Sequence, residues 1–154
     1  MKDKVCCFTG HREVSEEEIV NIKQKTKKEV ITLIENGVVY FCAGGARGFD
    51  TFAAEIVLEL KKQYPNIKLI LILPCVNQTM GWKEADKEKY NYIKNRADEV
   101  KILSQSYYSG CMHVRNRFMV DNSAYCICYF RKGRSGTSYT VNYAIKRKVN
   151  IIYI

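Results

Sequence analysis

Two runs of the chain are almost continuously apolar: Val38-Val39-Tyr40-Phe41-Cys42 and Ile67-Lys68-Leu69-Ile70-Leu71-Ile72-Leu73. Runs of this kind predict strands covered on both faces, as in a parallel sheet. Lys4–Phe8, Glu99–Leu103, Ala124–Phe130 and Val149–Ile154 predict four more strands, and Pro74 stops the one before it. Between the strands, apolar positions recur at helical spacing. Ile19, Ile22, Val30, Leu33 and Ile34 predict a first helix. Ser15 and Glu18 read as its capping box, and Gly37 is placed to end it. Further helices are predicted over 50–62, 84–98, 111–122 and 137–147, with a polar, Tyr-containing connection at 104–110. Alternating strands and helices argue for an α/β fold with a mainly parallel sheet, read as one domain over 1–154. Ligands of such sheets sit beyond the carboxyl ends of the strands, where segments 9–12, 43–50, 74–82 and 131–137 converge.

Those segments carry the candidate chemistry. Gly44, Gly45, Ala46 and Gly48 lie between a strand and a helix. Glycines there permit a sharp turn and close approach of a ligand, and the helix start favours an anion. The spacing is neither the dinucleotide fingerprint nor a Walker A loop, and a tight structural turn is the alternative. Thr9-Gly10-His11-Arg12 follows the first strand. Arg12 has the planar fork suited to phosphate, and His11 can donate to phosphate or sugar or act as a base. Asp50 reads either as a helix cap or as an acceptor for ribose hydroxyls. On helix 111–122, Arg115 shares a face with Met119 and Asn122, whereas Arg117 and Asp121 read as a surface ion pair. Gly133, Ser135, Gly136 and Thr137 form a second candidate phosphate cradle, with a flexible turn plus helix cap as the alternative. His113 has no visible partner and reads as structural.

Composition narrows the class. Hydrophobic residues are 47% and charged residues 27% of 154, as in a globular protein. No apolar run reaches the roughly 18 residues of a membrane span, and no signal-peptide pattern is seen, so a cytoplasmic location is expected. Seven cysteines without a CxxC pair read as small buried hydrophobes in a reducing compartment, and no metal site is expected. The net charge of +9 attracts polyanions or phosphorylated ligands, although the lysine clusters of the first helix and near the C-terminus read as solvated faces.

Several pieces together resemble the SLOG superfamily of Rossmann-like ligand-binding proteins, most closely its YpsA-like bacterial branch. They are Phe8-Thr9-Gly10-His11-Arg12, Gly44-Gly45-Ala46-Arg47-Gly48-Phe49-Asp50-Thr51, Gln78-Thr79-Met80-Gly81-Trp82, Arg115 through Ser123, and Gly136-Thr137. The resemblance implies a Rossmann-like three-layer sandwich that binds or senses a nucleotide-derived small molecule, related to NAD or ADP-ribose. It implies ligand contacts from Thr9, Gly10, His11 and Arg12, from Gly44, Gly45, Ala46, Gly48, Phe49 and Asp50, from Arg115 and Asn116, and from Gly133, Ser135, Gly136 and Thr137. Trp82 is the candidate to stack on a base. Relatives imply a homo-oligomer; no membrane partner is expected.

Two related branches supply alternatives. LOG phosphoribohydrolases cleave a base from a nucleoside 5′-monophosphate, and Met112-His113-Val114-Arg115-Asn116-Arg117-Phe118-Met119 is similar to their helix motif, with Asn116 in place of lysine. Their glycine-rich loop carries a catalytic glutamate where this chain has Thr140. Threonine supplies no carboxylate, so a substitute would have to come from Asp50 or Asp121, and no catalytic residue is assigned. Ala43–Ala54 also resembles a segment of DNA-processing protein A, which binds single-stranded DNA. Here, however, the aromatics lie mostly in apolar elements rather than among basic residues, apart from Trp82 and Tyr107-Tyr108.

Overall fold

The computed structural model describes residues 1–131 and 135–154. Six strands form one wholly parallel sheet: β1 Val5–Gly10, β2 Tyr40–Ala43, β3 Lys68–Leu73, β4 Glu99–Ile102, β5 Tyr125–Tyr129 and β6 Asn150–Tyr153. Five helices alternate with them: α1 Glu16–Glu35, α2 Phe49–Leu60, α3 Glu84–Arg96, α4 Cys111–Asp121 and α5 Gly136–Lys146. The α/β expectation therefore holds, with element ends shifted by a few residues, where assignments always fray. Among the described residues, no helix is long and apolar enough to cross a membrane.

The strand order is β4-β3-β2-β1-β5-β6. Side-chain alternation gives the sheet two different faces. Phe8, Phe41, Leu69, Leu71 and Ile127 point to one face and pack with Ile22, Val30 and Leu33 of α1 and Ala53, Ile56 and Val57 of α2. Cys7, Cys42, Ile72 and Cys126 point to the other and meet Met119 and Val120 of α4 and Ala144 of α5. The cysteines thus act as small core residues. All seven are buried and unpaired.

Helix α1 shows one departure. Ser15 occupies its N-cap position, but its side chain makes no capping bond. Glu18 does not reach back to it. Its carboxylate accepts the Tyr129 hydroxyl proton at 2.6 Å and pairs with Arg131 at 3.4 Å. A phenol from the last residue of β5 and a guanidinium two positions past it outcompete the local backbone N–H. Three glutamates in the first turn still suit the helix dipole. Gly37, at φ +98°, ends the helix as expected.

The strand order sets the position of the site. The chain leaves β1 toward the α1–α2 face, and leaves β5, the other neighbour of β1, toward the α4–α5 face. Between two such departures a crevice opens at the carboxyl ends of the strands.

Candidate functional site

An open cavity of about 610 Å³ occupies that crevice. Thr9, Gly10, His11 and Arg12 form the wall after β1, and Ala46 and Asp50 the wall after β2. Arg115 and Asn116 enter from α4, and Ser135, Gly136 and Thr137 from the start of α5. These walls are distant in sequence and meet because β2, β1 and β5, which carry three of them, are parallel and adjacent.

The β1 wall is rigidly tied. His11 N–H donates to the Tyr129 carbonyl at 3.3 Å, and its own carbonyl accepts from Phe49 N–H at 3.1 Å. His11 Nε2 accepts the Arg131 N–H at 2.8 Å, so a neutral His11 ring carries its proton on Nδ1. Phe49 is fully buried against Phe8 and Tyr129, and a Cβ at Gly10 would run into its ring. Phe49 therefore supports the wall from behind and does not line the cavity.

The glycines after β2 serve the protein's own contacts. The Gly44 carbonyl accepts from the Arg115 guanidinium and from Gln78 Nε2, the latter at 3.2 Å. A Cβ at Gly44 would overlap that guanidinium. At Gly45, φ +75°, it would meet Leu73, Gln78 and Tyr90; at Gly48, φ +76°, it would overlap the Arg12 backbone. Gly44, Gly45 and Gly48 lie outside the cavity lining, and Ala46 is the member of the loop that reaches it. The Ala46 N–H is itself taken by the Asp50 carboxylate at 3.3 Å, while Thr51 Oγ1 donates to the Ala46 carbonyl at 2.9 Å. Asp50 is the second residue of α2, with Gly48 at the N-cap, so its carboxylate closes the loop rather than capping the helix.

Arg115 and Asp50 dominate the electrostatics. Arg115 is 3% exposed and Asp50 6%. Beyond Gly44, Arg115 donates from Nε to Asn116 Oδ1 at 2.7 Å, so its oxygen acceptors are neutral. Burial pulls the guanidinium below its ordinary range, a trend that Asp50 opposes and Arg12 reinforces. Burial likewise pushes the Asp50 carboxyl up, opposed by Arg115, the Ala46 N–H and Arg12. None of the ion pairs among the described residues includes Arg115 or Arg12. The cavity thus has two guanidinium groups that pair with no carboxylate among the described residues, although Glu13 also lines it, a setting that favours an anion.

The α5 wall is a capped helix start. Ser135 Oγ accepts from Ser138 N–H at 3.1 Å, and Ser138 Oγ accepts from Ser135 N–H at 3.0 Å. Ser135 was expected in a cradle; its hydroxyl instead serves as the cap, while the Gly136 and Thr137 N–H groups have no protein partner among the described residues. Gly133 falls outside the described residues.

Five residues on the cavity had no ligand role from sequence, Glu13 and Gly110 among them. His113, read as structural, lines it, with a buried Nδ1 that lacks a partner among the described residues and a ring 4.0 Å from that of Tyr139. Met112 and Tyr107 line it as well. The helical offset of Met112, Arg115 and Asn116 is the signal that could have placed Met112 there. Trp82 lies elsewhere, edge-on to Tyr90 at 5.6 Å and under the Arg47 guanidinium at 5.5 Å. The expected Arg117–Asp121 pair is not made. Arg117 donates to Tyr139 Oη at 2.6 Å, and Asp121 pairs with Arg147 at 3.1 Å and accepts from Tyr143 Oη, because α5 packs alongside α4 and supplies closer partners. Thr140 turns its hydroxyl onto the Gly136 carbonyl at 3.0 Å.

Comparison with known proteins places this geometry. The chain is 32% identical over 133 residues to UPF0398 protein BH1768 of Halalkalibacterium halodurans, covering 84% of this chain and 70% of that one. It is 31% identical to UPF0398 protein BBR47_29830 of Brevibacillus brevis, covering 86% and 72%. The fold is similar to DNA processing protein A from Streptococcus pneumoniae, with a TM-score of 0.70 at 20% identity, and to that of Helicobacter pylori, with 0.69 at 23%. The chain is covered to 99% in both, but spans only 50% of the pneumococcal protein and 65% of the Helicobacter one. The model of the YpsA family, described as the YspA SLOG family, matches residues 6–153, and the chain belongs to that family.

Proposed function

We propose that the cavity at the β1–β5 crevice binds a nucleotide-derived small molecule through its phosphate and ribose. One observation carries this reading. Arg115, buried and bonded to neutral oxygens, shares the cavity with the uncapped Gly136 and Thr137 N–H groups. A guanidinium and a helix start facing one volume suit a phosphoryl group. Arg12 adds charge from the exposed rim, and Asp50 is placed to accept ribose hydroxyls. Tyr107, exposed at the same cavity, is the aromatic available to stack on a base. The cavity volume is in the range of small-molecule sites. The ligand class we favour is ADP-ribose- or NAD-related, held by a binding or sensing domain over 1–154.

Thermal unfolding with ADP-ribose, NAD, AMP, ADP, ATP and a short single-stranded DNA tests it. A ligand at about a hundred times its Kd adds roughly 2.7 kcal/mol, several degrees of Tm at this size. One nucleotide class should raise Tm, and Arg12→Ala should shrink that rise while leaving the unliganded Tm unchanged. No rise with any nucleotide overturns the reading.

A second reading is single-stranded DNA binding. It is supported by the structural neighbour from Helicobacter pylori, a DNA processing protein A with a single-stranded DNA binding mode, and by the net charge of +9. A Tm rise with DNA alone, falling steeply with salt, would favour it. A nucleotide N-glycosidic hydrolase has weaker support, since Thr140 bonds its own helix and Asp50 would have to act; steady release of adenine from AMP is its signature.

A further inference from the structure

A second concavity, of about 320 Å³, adjoins the first and shares Arg12 and Glu13 with it. It lies against the start of α2. Arg47, Lys83 and Lys89 line it together with Arg12, giving four cations against the two acids Glu13 and Asp86. They come from the loops after β1 and β2, from the residue preceding α3 and from α3 itself. Among the described residues, none of the four enters an ion pair. Arg47 is half-buried, stacked on Trp82, and its Nε is buried with no hydrogen-bond partner among the described residues. An N–H of a charged group buried without a partner is costly. Gly48 and Thr51, at the first turn of α2, face the same concavity.

We propose that this concavity is a second anion subsite and takes a phosphoryl group. Four unpaired cations converging from three parts of the chain, one with an orphaned donor, are the charge distribution of a phosphate-binding surface. Arg12 stands between the two concavities and contacts both. The ligand class that fills them together carries two separated phosphates on a nucleotide frame. That last step rests on the nucleotide reading of the main cavity; the subsite itself does not.

Inorganic pyrophosphate, followed by amide chemical shifts of the full chain, separates the two. The expected result is movement of the Thr51, Phe52 and Lys83 amides as well as those of Gly136 and Thr137, with the first group silent in the Lys83→Ala/Lys89→Ala variant. Both lysines are exposed, so the variant folds. Movement of Gly136 and Thr137 alone overturns the subsite and leaves the main cavity reading intact. Movement of Thr51, Phe52 and Lys83 alone supports the subsite and counts against the main cavity. No movement at either place overturns both. The bridging step is read from affinity: the 5′-phosphorylated dinucleotide pApA should bind at least about tenfold more tightly than AMP, a gap of about 1.4 kcal/mol, and the double variant should lose that advantage. Equal affinities for pApA and AMP in the unmodified protein overturn the bridge.

Discussion

At Gly48 the backbone has φ +76°, and a Cβ would overlap the Arg12 carbonyl. At Gly136 a Cβ would meet nothing within 4 Å among the described residues. Two glycines of the same motif-bearing surface therefore have opposite reasons to be glycine. Gly48→Ala is expected to lose at least about 2 kcal/mol of stability, from left-handed strain plus the backbone clash. Gly136→Ala should change it by less than about 1 kcal/mol. Urea unfolding of both variants checks the contrast, and equal losses would contradict it. The same logic explains Gly44, whose missing side chain leaves room for the Arg115 guanidinium. The sequence marks all three positions as glycine; it does not say whether the space is kept for a ligand or for another part of the chain.

Between elements, Asp98 shows how a single side chain ties three of them. It lies between α3 and β4, takes a hydrogen bond from Lys61 just past α2, and accepts the Leu69 N–H of β3 at 2.8 Å. Burial alone would raise its pKa, but the Lys61 bond, the Leu69 N–H and the Lys61 and Lys68 charges together lower it. A carboxyl lowered in the folded state contributes stability above its unfolded value, and that contribution is lost as pH falls through the folded value. Asp98→Asn is therefore expected to lower stability by about 1 kcal/mol at pH 7, discounted for partial exposure. The gap should close as pH drops below the ordinary value of 3.8. Denaturant curves at pH 7 and pH 3 test this, and a gap unchanged between them would refute it. Helix caps show the limits of local reading at this scale. Ser135 and Ser138 form a capping box, whereas Ser15 and Glu18, the better match in sequence, do not. The difference is Tyr129, which lies 111 positions from Glu18 and claims its carboxylate.

For the molecule as a whole, the unequal faces of the sheet give a measurable signature. Large aromatic and branched residues fill the α1–α2 side, while Cys7, Cys42 and Cys126 fill the α4–α5 side. Burial pushes the Cys42 and Cys128 thiols to about 12 and raises Cys6 as well. Cys7 runs the other way, lowered by its bond with Cys126, but all seven thiols are buried out of reach of a reagent. The native protein should resist a thiol reagent such as Ellman's at pH 8, with all seven cysteines reacting only after unfolding. Fast labelling of a native cysteine would show that one of these positions opens. The thiols share their cluster with Met119 and Val120 of α4, the helix whose Arg115 bonds the Gly44 carbonyl just past β2.

Period and order along the chain were sufficient for much of this. Continuous apolar runs and helical spacing placed six strands and five helices within a few residues, since both depend on neighbours in sequence. The order of those elements gave the parallel α/β class, and with it the end of the sheet where the cavity lies. The loops after β1 and β5, Arg115 and Asp50 were legible for the same reason, as polar residues at strand ends or on one helix face. What the tertiary structure decided were the partners. Arg115 bonds a carbonyl 71 positions away, Gly48 backs onto Arg12, and Trp82 packs under Arg47 instead of facing the cavity. His113 reaches the cavity by the way α4 is set against the sheet, and Tyr107 from the connection before it, where its N–H is held by Asn77 Oδ1. Hydrogen bonds and packing act across space, and no local pattern records which residues distant in sequence the fold will bring within their few ångströms of reach.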